Sequence, residues 1–128
     1  MTKYLPEYPQ WSSVTVRHLL THSAGLSYGL LDPGSLMYKA YVERRVLHPG
    51  TPLSDMMDVL AELPLLFHPG TSWEYSVASD VLARLVEVVS GQRFDVFLHQ
   101  RIFAPLGMAD TGFVVPESER DRLTAYYR

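Results

Sequence analysis

FHPGTSWEYSVASDVLARLVEVVSG, residues 67–91, is the stretch on which the reading of the fold turns. Leu82, Leu85, Val86 and Val89 recur at i, i+3, i+4 and i+7, which is one face of an α-helix running from about Ser76 to Ser90. Gly91 supplies a left-handed stop. Pro69-Gly70 breaks the chain ahead of the helix, so Tyr75 stands between a turn and a helix N-terminus. The positive end of the helix dipole favours negative charge there, the state in which a phenol serves as a general base. The plainer reading of Tyr75, one of eight tyrosines, is an amphipathic side chain bridging core and surface.

Helical periodicity continues outward from this stretch. Thr15 caps a short segment with Val16, Leu19 and Leu20 on one face, ended by Gly25. After a turn at Asp32-Pro33-Gly34-Ser35, Leu36, Met37, Ala40 and Tyr41 repeat at helical spacing. Ser54 and Asp55 open a third stripe of Met56, Val59, Leu60 and Leu63, which Pro64 follows. Downstream, Phe94, Phe97, Leu98 and Ile102 form a fifth face, stopped by Pro105 and Gly107. Residues 111–115 (TGFVV) read as briefly extended, and the charged tail from Glu117 starts one more turn. Residues 1–14 carry prolines and aromatics without period and read as an extended arm. The predicted fold is mainly α, with about five helices and at most a minor strand pair. It forms a single domain over 1–128, with the arm at 1–14 and the helical region at 15–128.

Composition bounds the function. The 128 residues are 47% hydrophobic and 20% charged, ordinary for a soluble globular protein. The net charge of −3 and the lack of a basic run argue against nucleic acid as a partner. Zero cysteines exclude disulfides and thiolate metal sites. No apolar run reaches membrane-spanning length, and no signal-peptide pattern opens the chain. The expectation is a soluble protein, cytoplasmic for the chain as given, with no membrane and no cofactor.

Three constellations invite chemistry. Gly25-Leu26-Ser27-Tyr28-Gly29 fits G-x-S-x-G, but a nucleophile elbow needs a strand entering and a helix leaving. Here a helical pattern precedes Gly25 and Asp32-Pro33-Gly34 follows Gly29, so Ser27 reads as a loop serine. His18 and His22 are spaced for one zinc ion, yet Leu19 stands where the zinc-protease pattern needs Glu. Structural histidines are the better reading. Neither lysine, Lys3 nor Lys39, completes an S-x-x-K, and no K-T-G occurs.

Four stretches carry a family resemblance: KYLPEY (3–8), TVRHLLTHSAGLSYG (15–29), residues 67–91, and FLHQRIFAPLGMADTGF (97–113). The sequence resembles the serine β-lactamase-like superfamily, which includes class C β-lactamases and penicillin-binding peptidases, and most closely the family VIII carboxylesterases. The resemblance implies an enzyme with an α/β half and a helical half. It implies a nucleophilic serine and its lysine on an S-x-x-K helix upstream of the YLPEY-like segment. The Y-x-N or Y-S-x element matches Tyr75-Ser76-Val77, which gives Tyr75 the general-base role. A K-T-G or H-x-G element belongs on a downstream strand. His68-Pro69-Gly70 has the letters of H-x-G but precedes the tyrosine, so it is not that element. In the family, the G-x-S-x-G serine at this place is not the nucleophile.

Valine at 77 departs from Y-x-N and cannot hydrogen-bond a β-lactam's amide, which favours an esterase-like parent. Ser76, Val77, Trp73 and Tyr28 are the expected substrate-side residues, with metal ligands none. The expected function is the helical region of a carboxylesterase-type serine hydrolase acting on a small-molecule ester, with little activity alone. One alternative is a small stand-alone esterase using Ser27 or Ser76 with a histidine. Another is a non-enzymatic binding or oligomerising module. Apolar stripes lacking a sheet to cover them predict a homodimer or domain-swapped pair.

Overall fold

In the computed structural model, the described residues are 1, 3–30 and 33–125. Asp32, where the predicted turn before the second helix begins, lies outside them. The chain divides into two compact units, Met1–Gly91 and Gln92–Arg128, each described below by itself.

The first unit contains helices α1 (Val16–Leu20), α2 (Leu36–Glu43), α3 (Leu53–Ala61) and α4 (Ala78–Ser90). Among the described residues there is no strand, so the mainly helical fold read from the periodicity holds. Local chemistry sets the helix ends. Thr15 caps α1 by accepting from the His18 N–H at 3.1 Å, while the Thr15 N–H reaches back to His18 Nδ1 at 3.4 Å. Ser35 caps α2 through the Tyr38 N–H at 3.0 Å. Gly91 ends α4 at φ 69°, the left-handed stop read from its sequence.

Both α1 and α3 pack on α4. The buried residues of α4 are Ala78, Val81, Ala83 and Leu85, with Leu82 partly buried against the core, so the buried face begins one turn earlier than the stripe picked out by the large apolar residues. Val88 and Val89, in the last turn of α4, are exposed. The leading segment is not an extended arm. It coils through a 3-10 turn at Pro9–Trp11, and Leu5, Tyr8, Trp11 and Val14 are all buried in the core. Tyr8 donates to Asp58 Oδ1 at 2.7 Å and Gln10 donates to the Ala61 carbonyl at 3.1 Å, tying the coil to α3. Aromatic burial outweighs the missing periodicity there, since each such side chain removes 150–250 Å² of roughly apolar surface from water.

The second unit holds α5 (Phe94–Leu98), which runs on as a π turn at His99–Phe103, and a 3-10 turn at Glu117–Arg122. Residues 112–114 form bends, and no strand is present over 111–115. Phe94 packs on Phe113 at 5.9 Å between ring centroids. Arg122 pairs with Asp110 and Glu119, and Asp110 is held below the usual carboxylate range by that hydrogen bond and charge. None of this unit's described residues is buried.

Two loops of the first unit are joined by main-chain hydrogen bonds rather than by a sheet. The Leu66 N–H donates to Gly25 O at 2.7 Å, Gly70 to Ser23 O at 2.8 Å, Glu74 to His22 O at 3.0 Å and Val77 to Ser27 O at 3.0 Å. Gly25 sits at φ 83°, and a Cβ there would lie 2.4 Å from the Phe67 carbonyl oxygen. Gly50 has nearly the same φ, 82°, but open space around it. Gly50→Ala should therefore lose only the left-handed penalty, roughly 1–2 kcal/mol. Gly25→Ala should lose a further ~1–3 kcal/mol, because the loops must part. Urea unfolding of both variants reads the difference, and equal losses would show that the close approach does not limit the fold.

Candidate active site

The tied loops bring Tyr75 between two aromatic rings. His22 lies at 4.8 Å and Tyr28 at 5.2 Å between ring centroids, both tilted against the phenol ring. Tyr75 stands three residues before Ala78, the first residue of α4, and keeps 44% of its surface exposed. The next two residues turn inward. Ser76 is 2% exposed and Val77 is fully buried, with the Ser76 hydroxyl 3.3 Å from His22 Nδ1. Trp73 is 65% exposed, on the same approach to the helix. Thus Tyr75, Tyr28 and His22 form one cluster, Ser76 and Val77 beside it are buried, and Trp73 stands in solvent.

Ser27 follows a helix and a loop, and no strand enters its turn among the described residues. Its main chain is occupied on both sides. The N–H donates to the Tyr41 hydroxyl at 3.1 Å, and the carbonyl accepts from Val77. Both histidines of the 18/22 pair have structural partners. His18 Nδ1 serves the α1 cap, and its Nε2 comes within 3.1 Å of where a Cβ on Gly70 would sit. His22 Nδ1 faces Ser76.

A cleft of about 290 Å³ opens beside Tyr28, lined also by Leu30, Tyr41, Val42, Arg45 and Val46. Tyr28 is therefore shared between the phenol cluster and a largely apolar hollow. Tyr41, in the cleft wall, is nearly wholly buried, and burial pushes its phenol up to about 12 while the Ser27 N–H bond pulls it the other way. The His22–Ser76 contact joins residues 54 positions apart. Its only sequence trace was a serine following the tyrosine and a histidine in TVRHLLTH, and neither points to the other.

Comparison with known proteins settles the family. The chain matches the Beta-lactamase family over residues 1–128. It belongs to that family. Esterase EstB of Burkholderia gladioli is 39% identical over 131 residues, covering 94% of this chain and 32% of the relative. A lovastatin esterase of Penicillium rubens is 37% identical over 117 residues, 90% of this chain and 28% of the relative. Among solved structures, EstCE1, a hydrolase with promiscuous acyltransferase activity, superposes with a TM-score of 0.77 at 28% identity. That match covers 92% of this chain and 33% of EstCE1. A simvastatin synthase from Aspergillus terreus superposes over 75% of this chain and 20% of its own, with a TM-score of 0.54 and 34% identity. The chain thus spans about a third of the length of the curated relatives it matches. Its fold is the mainly α part of a β-lactamase-like serine hydrolase. Among the described residues, no helix is long and apolar enough to cross a membrane.

Tyr41 carries a pH signature. Its phenol keeps its proton in the fold up to about 12, against roughly 10 in the unfolded chain. The stabilisation from this group is complete below pH 10 and is lost as the pH rises toward 12, at about 1.4 kcal/mol per unit. Tyr41→Phe should flatten the slope of unfolding free energy between pH 10 and 12 by about one proton. At pH 7 it should cost about 1–3 kcal/mol, for the Ser27 N–H left without its acceptor. An unchanged alkaline slope in a urea series would refute the assignment.

Proposed function

We propose that this chain is the tyrosine-bearing helical region of a carboxylesterase-type serine hydrolase, and that Tyr75 is its general base. The observation that carries the reading is the half-exposed phenol braced between His22 and Tyr28. Such a group meets both demands on a base: access to the reacting proton and a fixed place from which to take it. In the proposed reaction the nucleophilic serine and its lysine come from an S-x-x-K helix, which these 128 residues do not contain. As that serine's oxygen attacks the ester carbonyl, its proton passes to the deprotonated Tyr75 oxygen, which hands it to the departing alcohol oxygen as the ester C–O bond breaks. Water then attacks the acyl-enzyme, giving its proton to Tyr75, and Tyr75 returns that proton to the serine oxygen as the acid is released.

The substrate is a small-molecule ester. Tyr28, with Trp73 on the approach, forms the wall next to the base, and the cleft behind Tyr28 suits an apolar acyl or alcohol chain. Ser76 and Val77 shape the site from beside the cluster. Named esterases among the relatives support the reaction class. The homodimer expected from the sequence has the support of exposed Ile102, Leu106, Phe113 and Val114 in the second unit. Sedimentation over a concentration series reads it.

Two measurements test the assignment. A fluorophosphonate probe should leave this chain unlabelled, because neither Ser27 nor the buried Ser76 is a nucleophile. Stoichiometric labelling at either would favour the stand-alone esterase instead. The chain can also replace its matched segment in EstB. That chimera should hydrolyse a short p-nitrophenyl ester, and Tyr75→Phe should lower its kcat by about a hundredfold or more, whereas Ser27→Ala should not. Full turnover by the Tyr75→Phe chimera would remove the base role.

A further inference from the structure

We infer that His22 is the positioning residue for Tyr75, holding the phenol by a ring contact and the next residue, Ser76, by a hydrogen bond. The inference rests on the reading of Tyr75 as the reacting group. Its first support is backbone conformation. His22 has φ 51°, and Arg45 is the only other non-glycine residue with positive φ among the described residues. Left-handed backbone is unfavourable for an L-residue, whereas glycine occupies it without penalty. A side chain held there against that cost needs surroundings that fix it, and the surroundings are present. The His22 N–H donates to Leu19 O at 3.2 Å, and its carbonyl accepts from Glu74, the residue before Tyr75.

The second support is what this backbone conformation does with the ring. It turns the imidazole from the end of α1 toward the 74–76 segment. Nδ1 reaches the Ser76 hydroxyl at 3.3 Å, and the ring lies 4.8 Å from the Tyr75 ring. Ser76 is buried, so its hydroxyl has the imidazole in place of water. His22 thus holds two consecutive residues: the buried one by a hydrogen bond and the half-exposed one by its ring. Tyr28 closes the opposite constraint at 5.2 Å, and Tyr75 is left few rotamers.

A serine and a histidine in contact also have the form of a nucleophile and its base. Two facts oppose that here. Ser76 is 2% exposed, so no ester carbonyl reaches its oxygen. Among the described residues no carboxylate bonds His22, so the imidazole lacks the orienting third group of a triad. The same contact fits a positioning role without either requirement.

Glycine is the informative replacement, because it accepts φ 51° freely while deleting the ring. The experiment is NMR on this chain carrying ring-labelled tyrosine, with Tyr75 assigned through Tyr75→Phe. In the unmodified chain the Tyr28 and Tyr75 rings should show mutual cross-relaxation. In His22→Gly, studied below its own unfolding temperature, that signal should fall by at least about twofold as the phenol samples other rotamers. Ser76→Ala keeps the ring but removes the hydrogen bond, and should lose part of the signal. Should His22→Gly fail to fold, Ser76→Ala carries the same test. An unchanged Tyr28–Tyr75 signal in a folded variant overturns the inference. The measurement involves no turnover, so its failure is distinct from failure of the base reading, which the Tyr75→Phe chimera decides.

Discussion

The first unit depends on two loops approaching more closely than side chains would allow. Gly25 gives up its Cβ so that the Phe67 carbonyl can lie against it, and the Leu66 N–H then closes on the Gly25 carbonyl. The next three ties follow along the same pair of loops and reach Val77 at the N-cap of α4. This main-chain seam performs the role a β-ladder plays elsewhere: it satisfies buried polar groups while fixing register. Without it, α1 and α4 would still have apolar faces to bury. Nothing would then decide which residue of 70–77 sits opposite His22.

That register turns a helical core into a site. Burial is non-directional and proportional to area, so it brings α1, α3 and α4 together without setting fine geometry. Hydrogen bonds are directional and set it. The seam faces Tyr75 with His22 and Tyr28, while Tyr41 holds the Ser27 N–H from the other side of the same loop. The phenol is therefore placed by loops anchored at several points and not by the helix that follows it. Proximity to the start of α4 contributes orientation of the chain, whereas contact with two rings contributes restraint of the side chain.

The elements legible in the sequence were those written in local patterns. Thr15 announced its cap and Gly91 its stop, whereas Ser35, read as part of a turn, caps α2; the α4 stripe was visible although the buried face begins one turn earlier, at Ala78 and Val81. Small residues such as Ala78 carry little hydrophobic signal yet mark where helices approach most closely. The leading coil was not legible, because Leu5, Tyr8, Trp11 and Val14 are spaced for no regular element and are buried by contacts with distant residues. Tyr75 and Tyr28 were singled out from motif and context. His22 was seen only as half of an unconvincing metal pair, since its partner Ser76 lies 54 positions away and no local period connects them.

A seam made from main-chain atoms has a consequence for how such a site diverges. The four ties use the amides and carbonyls of Ser23, Ser27, Leu66 and Glu74, among others, and ask nothing of those side chains. Substitution at the rim can therefore change the surface around Tyr75 without unpicking the register of the seam. The side-chain demands fall on few positions: no Cβ at residues 25 and 29, and backbone that takes the left-handed region at 22 and 70. A scaffold of this kind separates the part that places Tyr75 from the rim around it. Side chains at the rim can then drift while the phenol keeps its place.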